Sequence, residues 1–303
     1  MILVTGATGF VGRALMRALE HHDIEAKPFD GRITNLTHIR ENLTDVDTIV
    51  HLATAEFKGR RRAPRYRDSK FHRRDRNLYH VDVEGTRRLV QEAEKAGVNH
   101  IIYVSRLGAE KASAFPVLRA KGLAEQILQK SDVPSTIFRA STLFGRGDHY
   151  LTPIASLAIW NWPFVWLPAG GTVLLQPLWV EDLIRCIITV SDPLDLQGYR
   201  GKIYTAAGEE RFHYHDLVRF VMSTAQLNRI PLPIRNRLVR FITAALFGWR
   251  RNPPINLYFL DHLRTPETAS LNIIHQTFGF HPARLNQQTS YLKEPRLGRL
   301  FWR

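Results

Sequence analysis

The chain opens on a short apolar run, Ile2-Leu3-Val4, that meets Gly6, Gly9 and Gly12 and passes at once into a helical repeat of apolar positions over 10–20. A brief apolar run bounded by glycine reads as a buried strand, and a 3.6-residue repeat reads as an amphipathic helix. The alternation continues: 24–29 as a second strand ending at Asp30, 36–43 as a helix, and 47–53 as a buried strand. After an interruption, 86–96 reads as a helix closed by Gly97, and 99–104 as a further strand. Helices alternating with strands imply an α/β fold with a parallel sheet. Further on the pattern loosens. Residues 151–168 are rich in Trp and Pro (Trp160, Trp162, Trp166), and Gly170-Gly171 reads as a hairpin turn into 172–175. Residues 202–207 read as a strand returning to the sheet and 215–224 as a helix.

At 303 residues the chain can bury a large core and suits one α/β domain with an appended lobe. Its formal charge of +14 favours contact with something anionic, although solubility alone also accounts for it. More than half of that charge sits in one place. Residues 58–76 carry Lys58, Arg60, Arg61, Arg62, Arg65, Arg67, Lys70, Arg73, Arg74 and Arg76 against Asp68 and Asp75, a net +8. Such a block repels itself and reads as a solvated loop; its functional reading is an insert that docks on an anionic surface or clamps a phosphorylated ligand. Tyr66 and Phe71 are its only aromatics, too few for a base-stacking platform, which argues against nucleic acid as a partner. Over 233–251, Arg235, Arg237 and Arg240 alternate with Leu238, Val239, Phe241, Ile242, Leu246 and Phe247 before Trp249-Arg-Arg251. That is the pattern of an in-plane helix on an anionic membrane, or of a cap helix packed on its own domain. Both basic segments could equally meet an acidic protein partner. The basic-aromatic tail 297–303 has no assignment.

Cys186, the single cysteine, excludes an internal disulfide and reads as core within the apolar run 183–190. The first strand starts at Met1, which leaves no room for a cleavable leader, and no run reaches the roughly 18 apolar residues of a spanning helix. These features point to a cytoplasmic protein, soluble or peripheral to the inner face of a membrane. His21-His22 and His213-Tyr-His215 are the close pairs among the histidines, and without carboxylate or cysteine partners at ligand spacing no metal site is expected.

The glycine turn carries the clearest chemistry. Glycines there let the chain turn tightly, let backbone N–H groups approach a pyrophosphate, and leave that anion at a helix N-terminus. Gly6, Thr8, Gly9, Phe10, Val11 and Gly12 are therefore candidate dinucleotide contacts. Asp30, 18 residues past Gly12, stands where an acidic residue binds the adenosine ribose in NAD sites.

The G-x-x-G-x-x-G spacing, with Thr5 before it, resembles the extended and atypical branches of the short-chain dehydrogenase/reductase superfamily. Asp30-Gly-Arg-Ile-Thr-Asn35 also resembles the family's G-D-[IL]-T-D turn, so the second and third strands look merged. Arg32 stands at that turn's Asp; it argues for a 2′-phosphate where Asp30 argues for NAD, leaving NAD or NADP open. Asp47-Thr-Ile-Val-His-Leu-Ala53 resembles the D-x-V-[IV]-H-L-A strand, whose end, here Leu52 and Ala53, lines the cofactor pocket. Asp82-Val-Glu-Gly-Thr86 resembles N-V-x-G-T, with Asp for Asn. Thr136-Ile-Phe-Arg-Ala-Ser-Thr-Leu-Phe-Gly145 resembles the segment whose backbone, here at Ala140 and Ser141, meets the nicotinamide carboxamide. The resemblance implies a Rossmann-like doubly wound parallel sheet from 1–150, completed by 176–208, with a smaller C-terminal lobe from 151–175 and 209–303.

Family members that reduce carbonyls use a Tyr-x-x-x-Lys helix. The tyrosine supplies a proton to the developing alkoxide, and the lysine lowers its pKa and holds the nicotinamide ribose. Lys121 matches that lysine in a K-x-x-[AS]-E context, but Val117 stands four residues earlier. Ser105 matches the strand-end serine, while Leu107 occupies the hydroxyl position two residues on. His149 and Tyr150 are the candidates for a replacement acid. Ser105-Arg-Leu-Gly-Ala109, Gln176-Pro-Leu-Trp-Val-Glu-Asp182 and Phe278-Gly-Phe-His-Pro282 further resemble the atypical branch that contains the accessory subunit of respiratory complex I. That resemblance implies an NAD(P)-binding accessory, assembly or sensing protein, possessing no ordinary reductase chemistry. The alternatives are an oxidoreductase or epimerase with another acid, and a basic docking protein whose cofactor site is vestigial.

Overall fold

A computed structural model describes residues 1–56, 75–161, 163–192, 196–247 and 255–293. The basic block at 58–74, the end of the arginine-rich segment at 248–251 and the tail at 297–303 lie outside the described residues.

Strands β1 (Ile2–Thr5), β2 (Ala26–Pro28), β3 (Thr48–His51), β4 (His100–Arg106), β5 (Ser135–Ala140) and β6 (Ile203–Ala206) form one sheet in the order β6-β5-β4-β3-β1-β2. All its pairings are parallel, with Val4 opposite Pro28 on one side and Val50 on the other. Central parallel strands are buried on both faces, and β1, β3 and the body of β4 are accordingly buried throughout, with apolar side chains at their centres. Pro28 sits where it is tolerated, on the edge strand β2. Among the described residues β2 closes that edge, in agreement with a merged second and third strand.

Helices α1 (Phe10–His21), α2 (Leu36–Asn42), α3 (Thr86–Lys95) and α4 (Pro116–Gln129) connect the strands. Helix α1 buries Leu15 and Leu19. One face of the sheet shares a core with the other three: Leu3, Ile49 and Ile101 pack with Ile39 of α2, Leu89 and Ala93 of α3, and Ala124 and Leu128 of α4. Gly97 does close α3 with a positive φ of 72°, and the Val98 N–H reaches back to the Ala93 carbonyl. The sequence places the start of this helix at Thr86, but the chain is already helical from Arg76 and is wound more loosely over His80–Gly85, in a six-residue π segment, before α3. A π turn shifts the 3.6-residue repeat, which hides the continuity from a periodicity argument.

The chain divides into two compact units, one holding 1–56, 75–140 and 181–206 of the described residues and the other 141–180 and 207–293. The second unit has its own apolar core around Ile154, Leu175, Leu217, Val218 and Val221. Gly170 and Gly171 do not form the expected hairpin. The strand before them, Phe164–Pro168, pairs in parallel with Ile230–Ile234, and Leu174–Leu175 pairs with Phe212–His213. Both glycines do have positive φ, and a Cβ on Gly171 would come within 2.8 Å of the His215 Cβ, so the turn is demanded by local crowding while the partner strands come from far along the chain. Cys186 is fully buried, as the apolar run around it implies.

Candidate functional site: the dinucleotide turn and its buried charges

The strand order reverses between β1 and β3, and the crevice beyond the C-terminal ends of strands at such a switch point is where open α/β sheets bind ligands. The glycine turn lies there. Gly6 has φ +71°, and a Cβ on it would stand 2.8 Å from the Ala53 backbone nitrogen, so β1 and the end of β3 approach closely only because this residue is glycine. A Cβ on Gly12 would fall 2.3 Å from the Gly6 carbonyl oxygen, so helix α1 packs against the turn for the same reason. Gly9 differs. Its φ of −74° suits any residue, and a Cβ there meets only the Gly6 carbonyl, at 3.1 Å. Among the described residues that carbonyl is the one close neighbour a Gly9 Cβ would have, and glycine itself offers no side-chain cap to the N-terminus of α1. A turn of this kind suits a pyrophosphate, which its N–H groups and the positive helix end would hold together. Thr8, Phe10 and Val11 belong to this turn, which Arg13 braces by donating to the Thr8 carbonyl at 2.6 Å.

Asp30 and Arg32 follow β2 at the same end of the sheet, and both are exposed. The Asp30 backbone is fixed by Asn42, which accepts its N–H at 2.9 Å and donates to its carbonyl at 3.0 Å, and the Arg32 N–H donates to His38 Nδ1 at 2.9 Å. Leu52 and Ala53, at the end of β3, donate their N–H groups to Thr5 Oγ1 at 3.1 and 3.2 Å.

From Thr5 a chain of hydrogen bonds runs through the core. Thr5 Oγ1 meets His51 Nδ1 at 2.7 Å, His51 Nε2 meets Thr86 Oγ1 at 2.9 Å, and Thr86 Oγ1 donates to the Asp82 carbonyl at 2.7 Å. Since Thr86 spends its proton on that carbonyl, His51 donates from Nε2 and accepts the Thr5 proton at Nδ1, which assigns a neutral tautomer. Burial, reinforced by the nearby Lys121 charge, lowers the His51 pKa to about 3. This relay ties the cofactor-side ends of β1 and β3 to the π segment.

The π segment in turn presents Asp82, which the sequence did not mark as a site residue. Its carboxylate accepts from Thr54 Oγ1 at 2.6 Å and the Ala55 N–H at 2.8 Å, and it pairs with Lys121 Nζ at 3.6 Å. Lys121 also donates to the Val104 carbonyl at 3.3 Å, and its Nζ stands 5.0 Å from the centre of the Tyr103 ring. A second buried pair, Glu56 with Arg106, accompanies the first. Burial alone would lower the Lys121 pKa, but Tyr103 and the Asp82 and Glu56 carboxylates beside it hold it above its usual range, so it is an ammonium. Burial raises the Asp82 pKa, while Lys121, Thr54 and Ala55 pull it back. Burial also pushes the Tyr103 phenol up to about 12.

Helix α4 carries Val117, Lys121 and Glu125 on one buried stripe, four residues apart. Ser105 donates to Glu125 Oε1 at 2.5 Å, and Glu125 also holds Arg139 at 2.6 Å, so the Ser105 hydroxyl is committed to α4. The carbonyl of Ala140 accepts the Leu107 N–H at 2.8 Å. In the second unit, Ser141 donates to the Gln176 carbonyl at 2.6 Å. His149 and Tyr150 diverge there: His149 is exposed, while the Tyr150 ring is buried beside Phe259, with its centre 4.6 Å from that of His262 in an edge-on arrangement. The described residues contain no group of three or more His, Cys, Asp or Glu placed to hold a metal ion.

Residues 20–149 match the family model described as NAD(P)H-binding. The chain is 25% identical over 251 residues to the mitochondrial NADH dehydrogenase (ubiquinone) 1 alpha subcomplex subunit 9 of Mus musculus, across 76% of this chain and 63% of that protein. It thus spans less than two thirds of that relative's length. To the photosystem II assembly factor Ycf39 of Guillardia theta it is 23% identical over 319 residues, covering 97% of this chain and 93% of the relative. Among solved structures, a short-chain dehydrogenase/reductase superfamily protein from Agrobacterium tumefaciens with bound NAD superposes with a TM-score of 0.67 at 17% identity, over 99% and 97% of the two chains. That likeness shows the Rossmann-like fold.

Proposed function

We propose that the chain is an NAD(P)H-binding protein of the atypical or extended short-chain dehydrogenase/reductase kind, supported by the NAD(P)H-binding family match and the fold, and that it holds its dinucleotide as a structural or sensing ligand. In this reading it performs no ordinary carbonyl reduction and serves as an accessory or assembly protein of a membrane respiratory or quinone system. When bound, the nicotinamide supplies hydride-transfer capacity; an alkoxide formed by such a transfer needs a proton. The observation that carries the reading is Val117, which has no proton to give, one turn before a Lys121 whose ammonium is paired with buried Asp82. Lys121 then acts on the nicotinamide ribose, while the turn at Gly9 takes the pyrophosphate.

The relatives that are subunits or assembly factors support the accessory role. One competing reading has an observation in its favour: His149 is exposed and could deliver a proton in place of the missing tyrosine. Purified protein loaded with NADH and offered a panel of aldehydes and ketones separates the two. No oxidation of the nicotinamide is expected; turnover that disappears in a His149→Ala, Tyr150→Phe variant would establish the competing reading instead.

A further inference from the structure

Helix Asn236–Phe247 is turned the wrong way round for a helix that covers its own domain. It buries Val239 and Thr243, successive positions on one face, in the second unit. Phe241 and Leu238 are 72% and 51% exposed. At about 100° per residue Phe241 points roughly opposite to Val239, so the outward face of the helix is apolar where a surface helix is ordinarily polar. Directly before it, strand Ile230–Ile234 exposes Ile230 and Leu232, and Phe164, paired opposite Ile230, is also exposed. Trp160, at the end of the helix that leads into that partner strand, is exposed as well. Large apolar side chains exposed together over one short segment mark a surface with a partner.

The charge around this surface narrows the partner. Between Asp216 and Asp261 the sequence holds seven arginines and no acidic residue. Arg235 and Arg237, exposed, flank the apolar face, while Arg240 pairs with Asp261. A second copy of the chain meeting the same face across a two-fold axis would set these arginines against each other. An anionic bilayer accepts both features at once: arginines at the headgroups and the Phe241 face at the acyl boundary. No helix among the described residues is long and apolar enough to cross a membrane.

We propose that residues 230–246, with Phe164 and Trp160, form an in-plane docking surface for the interface of an anionic lipid bilayer. The proposal deepens the reading of an accessory protein at a membrane system by naming the surface that would meet the lipid. The test is flotation of the full chain with phosphatidylcholine vesicles with and without phosphatidylglycerol, alongside an NADH fluorescence titration of the same preparation. Binding is expected on the anionic vesicles only. It should weaken about fivefold for each of Arg235→Gln and Arg237→Gln, and about tenfold or more in Leu238→Asp/Phe241→Asp, whose exposed sites leave the fold and NADH binding intact. Three results would overturn it: no flotation at low salt, flotation unchanged in Leu238→Asp/Phe241→Asp, or a wild-type dimer that this variant dissociates. A chain that binds NADH without floating refutes the docking surface alone; one that floats without binding NADH refutes the cofactor reading alone.

Discussion

Two kinds of glycine occupy the nucleotide turn, and they predict different failures. Gly12 is required by the protein itself, since a Cβ there would strike the Gly6 carbonyl at 2.3 Å. Gly12→Ala should therefore cost about 1–3 kcal/mol of stability, read by urea unfolding. On the proposed reading Gly9 serves a ligand. Gly9→Asp should cost less stability than Gly12→Ala, since its Cβ meets only the Gly6 carbonyl, at 3.1 Å, and should lose NADH binding in a fluorescence titration, because a carboxylate at the turn would repel the pyrophosphate. The Asp82–Lys121 pair makes a further residue-scale prediction. Removing one partner leaves the other charge buried, so Asp82→Asn and Lys121→Met should each cost about 3–5 kcal/mol. The double variant should be more stable than the sum of the two losses implies. Strict additivity in urea unfolding would show that the two side chains are not coupled.

At the scale of elements, the relay from Thr5 through His51 to Thr86 joins β1, β3 and the helix that carries Asp82. His51 is held neutral, its pKa lowered from 6.5 to about 3 by burial and the Lys121 charge, and burial likewise takes His100 down to about 4. A group whose folded pKa lies below its unfolded one stabilises the fold above the unfolded value and withdraws that support as the pH falls toward the folded one. Stability should thus decline from pH 6.5 downward. A His51→Gln variant, less stable at pH 7, should show a shallower decline, measurable as urea midpoints across that range; an unchanged slope would remove His51 from the account. The strand, glycine turn and helix at the N-terminus were legible in sequence because all their determinants are local. The place of Lys121 on its helix, one turn before Glu125 on the same buried stripe, was legible because the K-x-x-[AS]-E context is local too. Asp82 was not. Its role depends on a π segment that periodicity does not register, and on a lysine 39 residues further along the chain. The glycine pair at 170–171 misled for a related reason: the turn is real, but strand Phe164–Pro168 takes its partner from Ile230–Ile234, far beyond the reach of hairpin logic.

Over the whole molecule, the sequence joins a dinucleotide fold to a strong positive charge and to an apolar, arginine-flanked face on the C-terminal unit. These features fit one account, in which the nucleotide-binding unit senses or stabilises and the second unit docks. The account stands or falls on what the bound nicotinamide does. The decisive measurement is a fluorescence titration of the purified chain with NADH and NADPH, followed by monitoring of the bound nicotinamide during challenge with a panel of carbonyl compounds. Saturable binding without oxidation is the predicted result, and the tighter of the two nucleotides would decide between Asp30 and Arg32 as the reader of the adenosine ribose. Steady oxidation of the bound nicotinamide by any of those carbonyls would contradict the account and return attention to His149.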